Sequence, residues 1–465
     1  MAEPLWTAAD IARAVGGRIE GGDFAVGGIS IDTRSLEPGD LFVALAGARD
    51  GHDFVAQARA RGASGVLCSR PVEGPAVRVD DDTLLALERL GVAARRRASA
   101  ARRGAVTGSV GKTSVTQAVR AGLELAGPAH GSVKSYNNHI GVPLTLARMP
   151  AQTQRAVFEI GMNHAGEITP LSRMVEPHCV AITTVGPVHV ENFADGEAGV
   201  ARAKSEIFAG VAEGGLAILN ADNVWFEFLK DGARQAGLRV ATFGAAAFAD
   251  ARLVSYEPTP AGCLIRASLH GAATEIPMLQ TGAHWGPNAL AVLLMLEALE
   301  VSRSTGLAAL AAFEPLAGRG AEATVALGAG AFTLIDESYN ANPLSMRAAF
   351  ASLGARPASG RRIAVLTDML ELGEEAGRFH RDLAEPIEAA SLDLVFCAGP
   401  LMKSLWDALP STRRGGYADT AAELAALVVR AVEPGDVVMV KGSNGSRAGQ
   451  VAKALAELGP AGETD

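Results

Sequence analysis

The feature that most constrains this chain is a glycine-rich turn between an apolar run and a helical pattern. Residues 104–114 read GAVTGSVGKTS. Glycines let backbone N–H groups converge on an anion, and a helix N-terminus adds positive potential. Lys112 offers a cation to terminal phosphates, and the Thr113 hydroxyl can bind Mg²⁺. We therefore predict a phosphate loop made of Gly108, Ser109, Val110, Gly111, Lys112, Thr113 and Ser114.

The loop has the short form GxxGK[ST], because Val106 rather than glycine stands five places before Gly111. A glycine-rich turn that caps a helix by chance is the alternative interpretation. The apolar strand before the turn and the helical pattern after it favour a phosphate loop.

Short apolar runs alternate with Ala- and Leu-rich helical patterns along the whole chain. The predicted strands cover residues 155–160, 179–185, 216–219, 332–335, 362–366, 394–397 and 436–440. Each is followed by a turn residue and a helical pattern, which favours parallel sheets covered by helices. Ligands bind at the carboxyl ends of the strands in such sheets.

A length of 465 residues suggests about three domains. We predict an α/β fold with a small N-terminal α/β domain over residues 1–82 and a central domain over 83–314. The central domain begins with a helix over 83–97 and contains the phosphate loop and a mostly parallel sheet. A C-terminal domain with a Rossmann-like sheet follows over 315–465.

Charge and composition exclude several classes of protein. Asp and Glu number 51 against 42 Lys and Arg, which argues against a broad nucleic-acid-binding face. The longest apolar run, 289–296, is far shorter than the roughly 20 residues of a membrane span, so no membrane insertion is expected. Four distant cysteines without a CxxC pair favour a reducing, cytoplasmic location. We interpret the arginines at 95–97 and 102–103 as a solvated helix end.

Three residues outside the loop are candidate metal ligands. Glu159 ends an apolar strand, where a carboxylate could hold Mg²⁺; a carboxylate that caps the next helix is the alternative. His189 follows the next predicted strand, although a lone loop histidine is more often a surface residue. Lys204 lies on one helical stripe with Val200 and Ile207.

Burial on that stripe would favour the neutral amine of Lys204. A neutral amine can add CO₂, and the resulting anionic carbamate could bind a metal. A lysine that snorkels from the helix edge or pairs with a phosphate is the alternative, and the pattern alone favours it.

Taken together, these motifs resemble the Mur ligases over nearly the full chain. The resemblance rests on segments 30–34, 38–45, 50–54, 107–114, 136–144, 182–193, 203–207 and 282–290. Segments 336–346 and 368–374 are similar to the member of the family that adds a dipeptide. The ligase that adds the third residue normally carries an Asp-Asn-Pro-Arg stretch, which this sequence lacks.

The resemblance implies an ATP-dependent amide ligase of cell-wall precursor synthesis. ATP would phosphorylate the terminal carboxylate of UDP-N-acetylmuramoyl-tripeptide, and the amine of D-alanyl-D-alanine would attack the acyl phosphate. It also implies a monomer without a nucleic-acid partner. The third residue of the tripeptide stays open.

Site residues follow from the resemblance one by one. Lys112, His189 and Lys204 would be catalytic, and ATP would contact the loop together with Asn288, Arg319 and Asp336. Two Mg²⁺ ions would be held by Thr113, Glu159, His189 and carbamylated Lys204. The UDP-linked substrate would be bound by Ser30, Thr33, Arg34, Asp50, Gly51 and His52. The dipeptide region would contain Tyr339, Asn340 and Asn342.

Two other functions stay open at this point. A sister ligase would add a single amino acid to the same carrier, or glutamate to folate, although folate ligases lack the N-terminal domain. A nucleotide-gated P-loop binding module would hydrolyse ATP without a peptide or an amine.

Overall fold

The N-terminal part of the chain forms a small sheet with three helices. The structure, a computed structural model, describes residues 3–47, 49–133, 135–259 and 261–459. The first elements are β1 Trp6–Thr7, α1 Ala8–Val15, β2 Arg18–Glu20, β3 Ala25–Val26, β4 Gly28–Ser30, β5 Asp40–Val43, α2 Val55–Ala60, β6 Gly65–Cys68, β7 Ala76–Arg78 and α3 Thr83–Arg97. The sheet has the order β2-β7-β6-β5-β4, with β2 antiparallel to β7 and the other pairs parallel. Helix α3 has its predicted bounds because the Asp82 side chain caps it.

A nine-stranded sheet dominates the central part. Its elements are β8 Arg102–Thr107, α4 Lys112–Ala126, β9 Ala129–Gly131, α5 Gly141–Ala147, β10 Arg155–Glu159, α6 Ile168–Val175, β11 Cys179–Ile182, α7 Glu197–Ser205, β12 Leu216–Asn220, α8 Phe226–Gln235, β13 Arg239–Gly244, β14 Ala251–Thr259, β15 Gly262–Leu269, β16 Ala272–Met278, α9 Trp285–Ala298 and α10 Arg303–Ala312. The order is β16-β15-β14-β13-β12-β11-β8-β10-β9. The chain adds β9 and β10 on one side of β8 and then β11 on the other, so the turn after β8 lies at the switch point of the sheet, where ligands bind.

The C-terminal part forms a six-stranded sheet. Its elements are β17 Ala321–Leu327, β18 Gly330–Glu337, α11 Pro343–Gly354, β19 Arg362–Thr367, α12 Ala376–Arg381, α13 Ala384–Ala389, β20 Leu394–Ala398, α14 Lys403–Ala408, β21 Arg414–Ala418, α15 Ala421–Ala431, β22 Val437–Lys441 and α16 Ala448–Ala456. The order is β17-β18-β22-β19-β20-β21, parallel except for the β17–β18 pair. The predicted α/β class is confirmed, and the domain boundaries at 82/83 and 314/315 stay predictions.

Both faces of the parallel part of the central sheet are buried, which explains why its strands read as continuous apolar runs. Val106 and Val157 pack with α4 and α9 on one face, while Ala105 and Phe158 pack on the other. Helix α9 is buried along most of its length, since it packs against α4, α10 and strands of the sheet. This position accounts for the apolar run at 289–296. Among the described residues, no helix combines the length and apolar character that crossing a bilayer requires.

The sequence analysis missed the antiparallel extension formed by β14, β15 and β16. Residues of β15 alternate between buried and half-buried, as expected for a strand with one solvated face. His270 and Gly271 both have positive φ and make the two-residue turn between β15 and β16. This alternation along β15 was the pattern that could have predicted the antiparallel strands.

The interpretation of the arginines as a solvated helix end is wrong for Arg95 and Arg103, which are buried, whereas Arg96 is exposed and Arg97 and Arg102 are half-buried. Arg95 pairs with Glu176, and the Arg97 guanidinium donates to Leu5 O at 2.6 Å and to Met149 O at 3.0 Å. Arg103 donates to the carbonyl of Val175. Arg97 thus satisfies carbonyl groups of both the N-terminal and the central part, whereas the contacts of Arg103 lie within the central part.

Leu123 and Leu125 offer a matched test of the central core. Leu123 is fully buried on α4, whereas the side chain of Leu125 is 61% exposed on the same helix. We expect Leu123→Ala to lower the free energy of unfolding of the central part by about 2–5 kcal/mol, because it leaves a cavity. Leu125→Ala should change it by less than about 0.5 kcal/mol. Urea unfolding followed by circular dichroism measures both; equal effects would contradict the assigned packing.

Candidate functional site

A cavity of about 510 Å³ lies between the carboxyl ends of the central and C-terminal strands. Most predicted nucleotide, metal and dipeptide residues line it: Ser109, Val110, Gly111, Lys112, Thr113, Ser114, Glu159, His189, Asn288, Arg319, Tyr339, Asn340 and Asn342. Gly108, Asp336 and Lys204 are not part of its lining. The strand ends therefore bring together residues that lie up to about 230 positions apart in the sequence.

The phosphate loop is tied closely to β11. Gly108 has a φ of 148°, and a Cβ there would lie 1.9 Å from Thr183 Oγ1. Gly111 has a φ of 84°, and its Cβ would lie 3.1 Å from Asn288 Oδ1. Ser109 N donates to Thr184 O at 2.8 Å. Only glycine fits at position 108, and the strand holds the loop in one conformation.

Helix α4 begins at Lys112, directly after Gly111, which has no side chain to cap it. The first N–H groups of a helix have no partner inside the helix, so those of α4 can serve an anion at the cavity. Lys112 Nζ donates to Gly108 O at 2.6 Å. Burial lowers the pKa of the Lys112 ammonium, with the charge of Glu159 opposing this and that of Arg319 adding to it. An anion bound in the cavity would stabilise the charged form of Lys112 and raise its pKa again.

Glu159 lines the cavity, and one of its two carboxylate oxygens has no hydrogen-bond partner among the described residues. Its Oε1 accepts a hydrogen bond from Asn137 Nδ2 at 2.7 Å. Its Oε2 is buried and has no hydrogen-bond partner among the described residues. A buried carboxylate oxygen in this state fits a hard cation such as Mg²⁺. Asn137 was not assigned a role at this site, although it lies in segment 136–144, which carries part of the family resemblance.

Cation ligands of the usual kind are sparse around this oxygen. No three His, Cys, Asp or Glu side chains among the described residues come together as a metal site. The predicted set contains two such residues, Glu159 and His189, together with a hydroxyl and a lysine. Cation binding here would therefore need further oxygens from phosphates, water or a modified lysine.

Lys204 is 2% exposed on α7, and Val200 and Ile207 beside it are fully buried. Burial lowers the pKa of Lys204 well below its ordinary value, and the positive charge of Lys112 acts in the same direction. The amine is thus disposed to be neutral, which is the form that adds CO₂. The helix ends at Ser205 and continues as a short 3₁₀ turn.

His189 lies in the loop after β11 and faces the C-terminal part of the chain. Its Nδ1 is 2.7 Å from Glu371 Oε2. Both residues have positive φ, 55° and 62°, in the left-handed region that non-glycine residues rarely adopt. Nearby, Gly373 N donates to Glu191 Oε2 at 3.1 Å. Two contacts therefore connect this loop to segment 371–373.

A buried ion pair on the C-terminal side was missed by the sequence analysis. Lys441 Nζ donates to Glu337 Oε2 at 2.8 Å and to Asn340 O at 3.1 Å. Burial alone would raise the pKa of the Glu337 carboxyl, but the charges of Lys441 and His284 outweigh it and lower that pKa. Glu337 and Lys441 are register partners in β18 and β22, which is information that only sheet pairing supplies.

Two predicted residues on this side have structural duties. Asn342 Oδ1 accepts from Ser345 N at 2.9 Å and forms a capping box at the start of α11. Asp336 Oδ1 accepts from Ser338 N at 3.0 Å. Their assigned contacts with the dipeptide and ATP stay predictions.

The six residues predicted to bind the UDP-linked substrate do not line the cavity; Ser30 ends β4, and the other five follow β4 or β5. His52 Nδ1 is 2.6 Å from Asp50 Oδ1, and His52 Nε2 accepts from Ser69 N at 3.0 Å. Arg34 pairs with Asp32 at 2.6 Å. Their predicted contacts with the UDP-linked substrate stay predictions.

Comparison with known proteins agrees with this geometry. Three family models match: "Mur ligase family, catalytic domain" over residues 25–105, "Mur ligase middle domain" over 106–296, and "Mur ligase, glutamate ligase domain" over 324–444. The UDP-N-acetylmuramoyl-tripeptide–D-alanyl-D-alanine ligase of Escherichia coli K12 is 34% identical, covering 97% of this chain and 99% of the relative.

Solved structures show the same architecture. A MurF crystal structure from Acinetobacter baumannii superposes with a TM-score of 0.85 at 28% identity, covering 98% and 99% of the two chains. The fold also matches a MurF ligase from Thermotoga maritima in complex with ADP, with a TM-score of 0.76 at 22% identity over 93% and 97% of the chains. From its sequence and its three matching regions, the chain belongs to the Mur ligase family.

Proposed function

We propose that this chain is the ATP-dependent ligase that joins D-alanyl-D-alanine to UDP-N-acetylmuramoyl-tripeptide in peptidoglycan precursor synthesis. The curated relatives that bear this activity in their names align over nearly the whole chain. The observation that carries the proposal is the cavity itself, because it joins a phosphate loop to polar strand ends of the C-terminal sheet. A ligase needs both sides, since the nucleotide and the incoming amine must meet.

The reaction brings two anions together, the tripeptide carboxylate and the triphosphate of ATP. Loop N–H groups and the Lys112 ammonium stabilise negative charge on the phosphates as the carboxylate attacks. The product of this step is an acyl phosphate, which water would hydrolyse. Because the cavity walls come from two sheets, closure of the parts around the substrates excludes water until the amine attacks.

Mg²⁺ is part of this proposal. Thr113 and Glu159 would hold one ion, and His189 with Lys204 as its carbamate would hold a second. Bound Mg²⁺ would screen the repulsion between the two anions. The free Glu159 oxygen and the disposition of Lys204 toward its neutral form support these assignments. The roles of Asn288, Arg319 and Asp336 toward ATP, and of the N-terminal residues toward UDP, are proposed on the family pattern.

We further infer that the protein is a monomer and that it is located in the cytoplasm. ATP and free thiols are both found there, and Cys68, Cys179, Cys263 and Cys397 are buried and unpaired.

Product formation tests the function directly. Phosphate release should require ATP, UDP-N-acetylmuramoyl-tripeptide and D-alanyl-D-alanine together, and mass spectrometry should detect the pentapeptide product. Lys112→Ala should lower kcat by roughly 100-fold or more, because an ammonium at the phosphates is lost. Lys453→Ala, which alters a surface lysine that is 76% exposed, is the matched control. Phosphate release without peptide or amine would instead indicate a nucleotide-gated switch, and use of a single amino acid would indicate a sister ligase.

The carbamate makes a separate prediction. Lys204→Ala should lose activity, and millimolar formate or acetate should restore part of it by supplying the missing carboxylate. When isotopically labelled bicarbonate is added, the wild-type protein should show a carbamate carbon resonance. The Lys204→Ala variant should lack that resonance. Lys403→Ala, a change of a half-exposed surface lysine, should retain both activity and resonance. A missing resonance together with no rescue would exclude the carbamate.

A further inference from the structure

The hydroxyl of Ser135 is a meeting point of the two halves of the cavity. From the C-terminal side, Tyr339 OH donates to Ser135 Oγ at 2.9 Å and Arg319 Nη2 donates at 3.4 Å. From the central side, Thr113 Oγ1 lies 3.2 Å from the same oxygen. One hydroxyl therefore links a residue of the phosphate loop to two residues that precede and follow strands of the C-terminal sheet.

Arg319 can only donate, and Tyr339 OH donates to Ser135 Oγ, so these two bonds set the direction of the one between Ser135 and Thr113. A serine hydroxyl has one proton and two lone pairs. Tyr339 and Arg319 occupy both lone pairs, so the proton of Ser135 is left for Thr113 Oγ1. Thr113 then keeps one lone pair and its own proton for whatever binds at the phosphate loop.

The two donors from the C-terminal part, Arg319 and Tyr339, are in contact with each other. The Arg319 guanidinium lies over the Tyr339 ring, 4.1 Å from its centre, and Tyr339 N donates to Gly318 O at 3.0 Å. A stacked arginine and tyrosine restrict each other's rotation. When this unit is absent, nothing on the C-terminal side directs the proton of Ser135, and the hydroxyl of Thr113 loses its fixed partner.

We propose that Ser135 is a positioning residue that orients the Thr113 hydroxyl when Tyr339 and Arg319 are in place. The phosphate loop is thereby set for its ligand by the arrival of the C-terminal part. This inference rests on the proposed ligase function, in which nucleotide and amine sites belong to different parts of the chain. It assigns Tyr339 a duty toward the loop that is distinct from contact with the dipeptide.

Mutant cycles on the full chain test the hydrogen-bonded junction that Ser135 forms with Thr113, Tyr339 and Arg319. Calorimetry would measure the Kd of a non-hydrolysable ATP analogue in excess Mg²⁺ for Ser135→Ala, Tyr339→Phe and the double variant. Each single change should weaken binding by roughly three- to tenfold, as expected for one uncharged hydrogen bond. The double variant should be no weaker than the weaker single variant, because both break one linkage. In a Thr113→Ala background, neither change should matter.

Controls separate the junction from general damage and from dipeptide binding. Ser135→Thr keeps the hydroxyl and should retain nucleotide affinity. Tyr417→Phe removes a tyrosine hydroxyl that donates to Gly399 O away from the cavity, and it should leave affinity and activity unchanged. Additive losses in the double variant would overturn the proposal, as would a Tyr339→Phe change confined to the KM of the dipeptide. The wild-type chain could make no amide product while the effects of the two substitutions are still non-additive. That result would contradict the ligase function but support the junction.

Discussion

Close contact between the phosphate loop and strand β11 is the constraint on which the rest of the cavity depends. A Cβ at position 108 would overlap the Thr183 hydroxyl, so the loop can approach the strand only through glycine. That approach places the start of α4 at the switch point of the sheet. Unpartnered N–H groups and Lys112 then face the space between the two sheets, and other polar groups are arranged around them.

Electrostatics in the cavity is organised by burial. Burial lowers the pKa of both Lys112 and Lys204, and the positive charge of Lys112 lowers that of Lys204 further. Such an arrangement costs stability unless an anion arrives. The C-terminal side is different, because Lys441 is already paired with Glu337. The site is thus prepared for negative charge on the central side and largely compensated on the other.

Several of the contacts between the two halves of the cavity involve residues near the phosphate loop. His189 approaches Glu371, Gly373 donates to Glu191, and Ser135 receives Tyr339 and Arg319. Contacts of this kind between separate sheets can break and re-form during turnover without disturbing either core. Substrate binding can therefore change the conformation of the phosphate loop through these hydrogen bonds, without rearranging large apolar surfaces.

Local patterns were sufficient for the α/β class, the approximate positions of the predicted strands and the glycine turn before α4, because apolar periodicity and glycine placement act over a few residues. The antiparallel extension β14–β16 was missed, and the buried residues Arg95 and Arg103 were wrongly interpreted as solvated. The cluster of Asn137 with Glu159, the pairing of Glu337 with Lys441 and the junction at Ser135 join positions 22, 104 and more than 180 residues apart. Sequence spacing carries no signal for such contacts; sheet register and the packing of one sheet against another decide them.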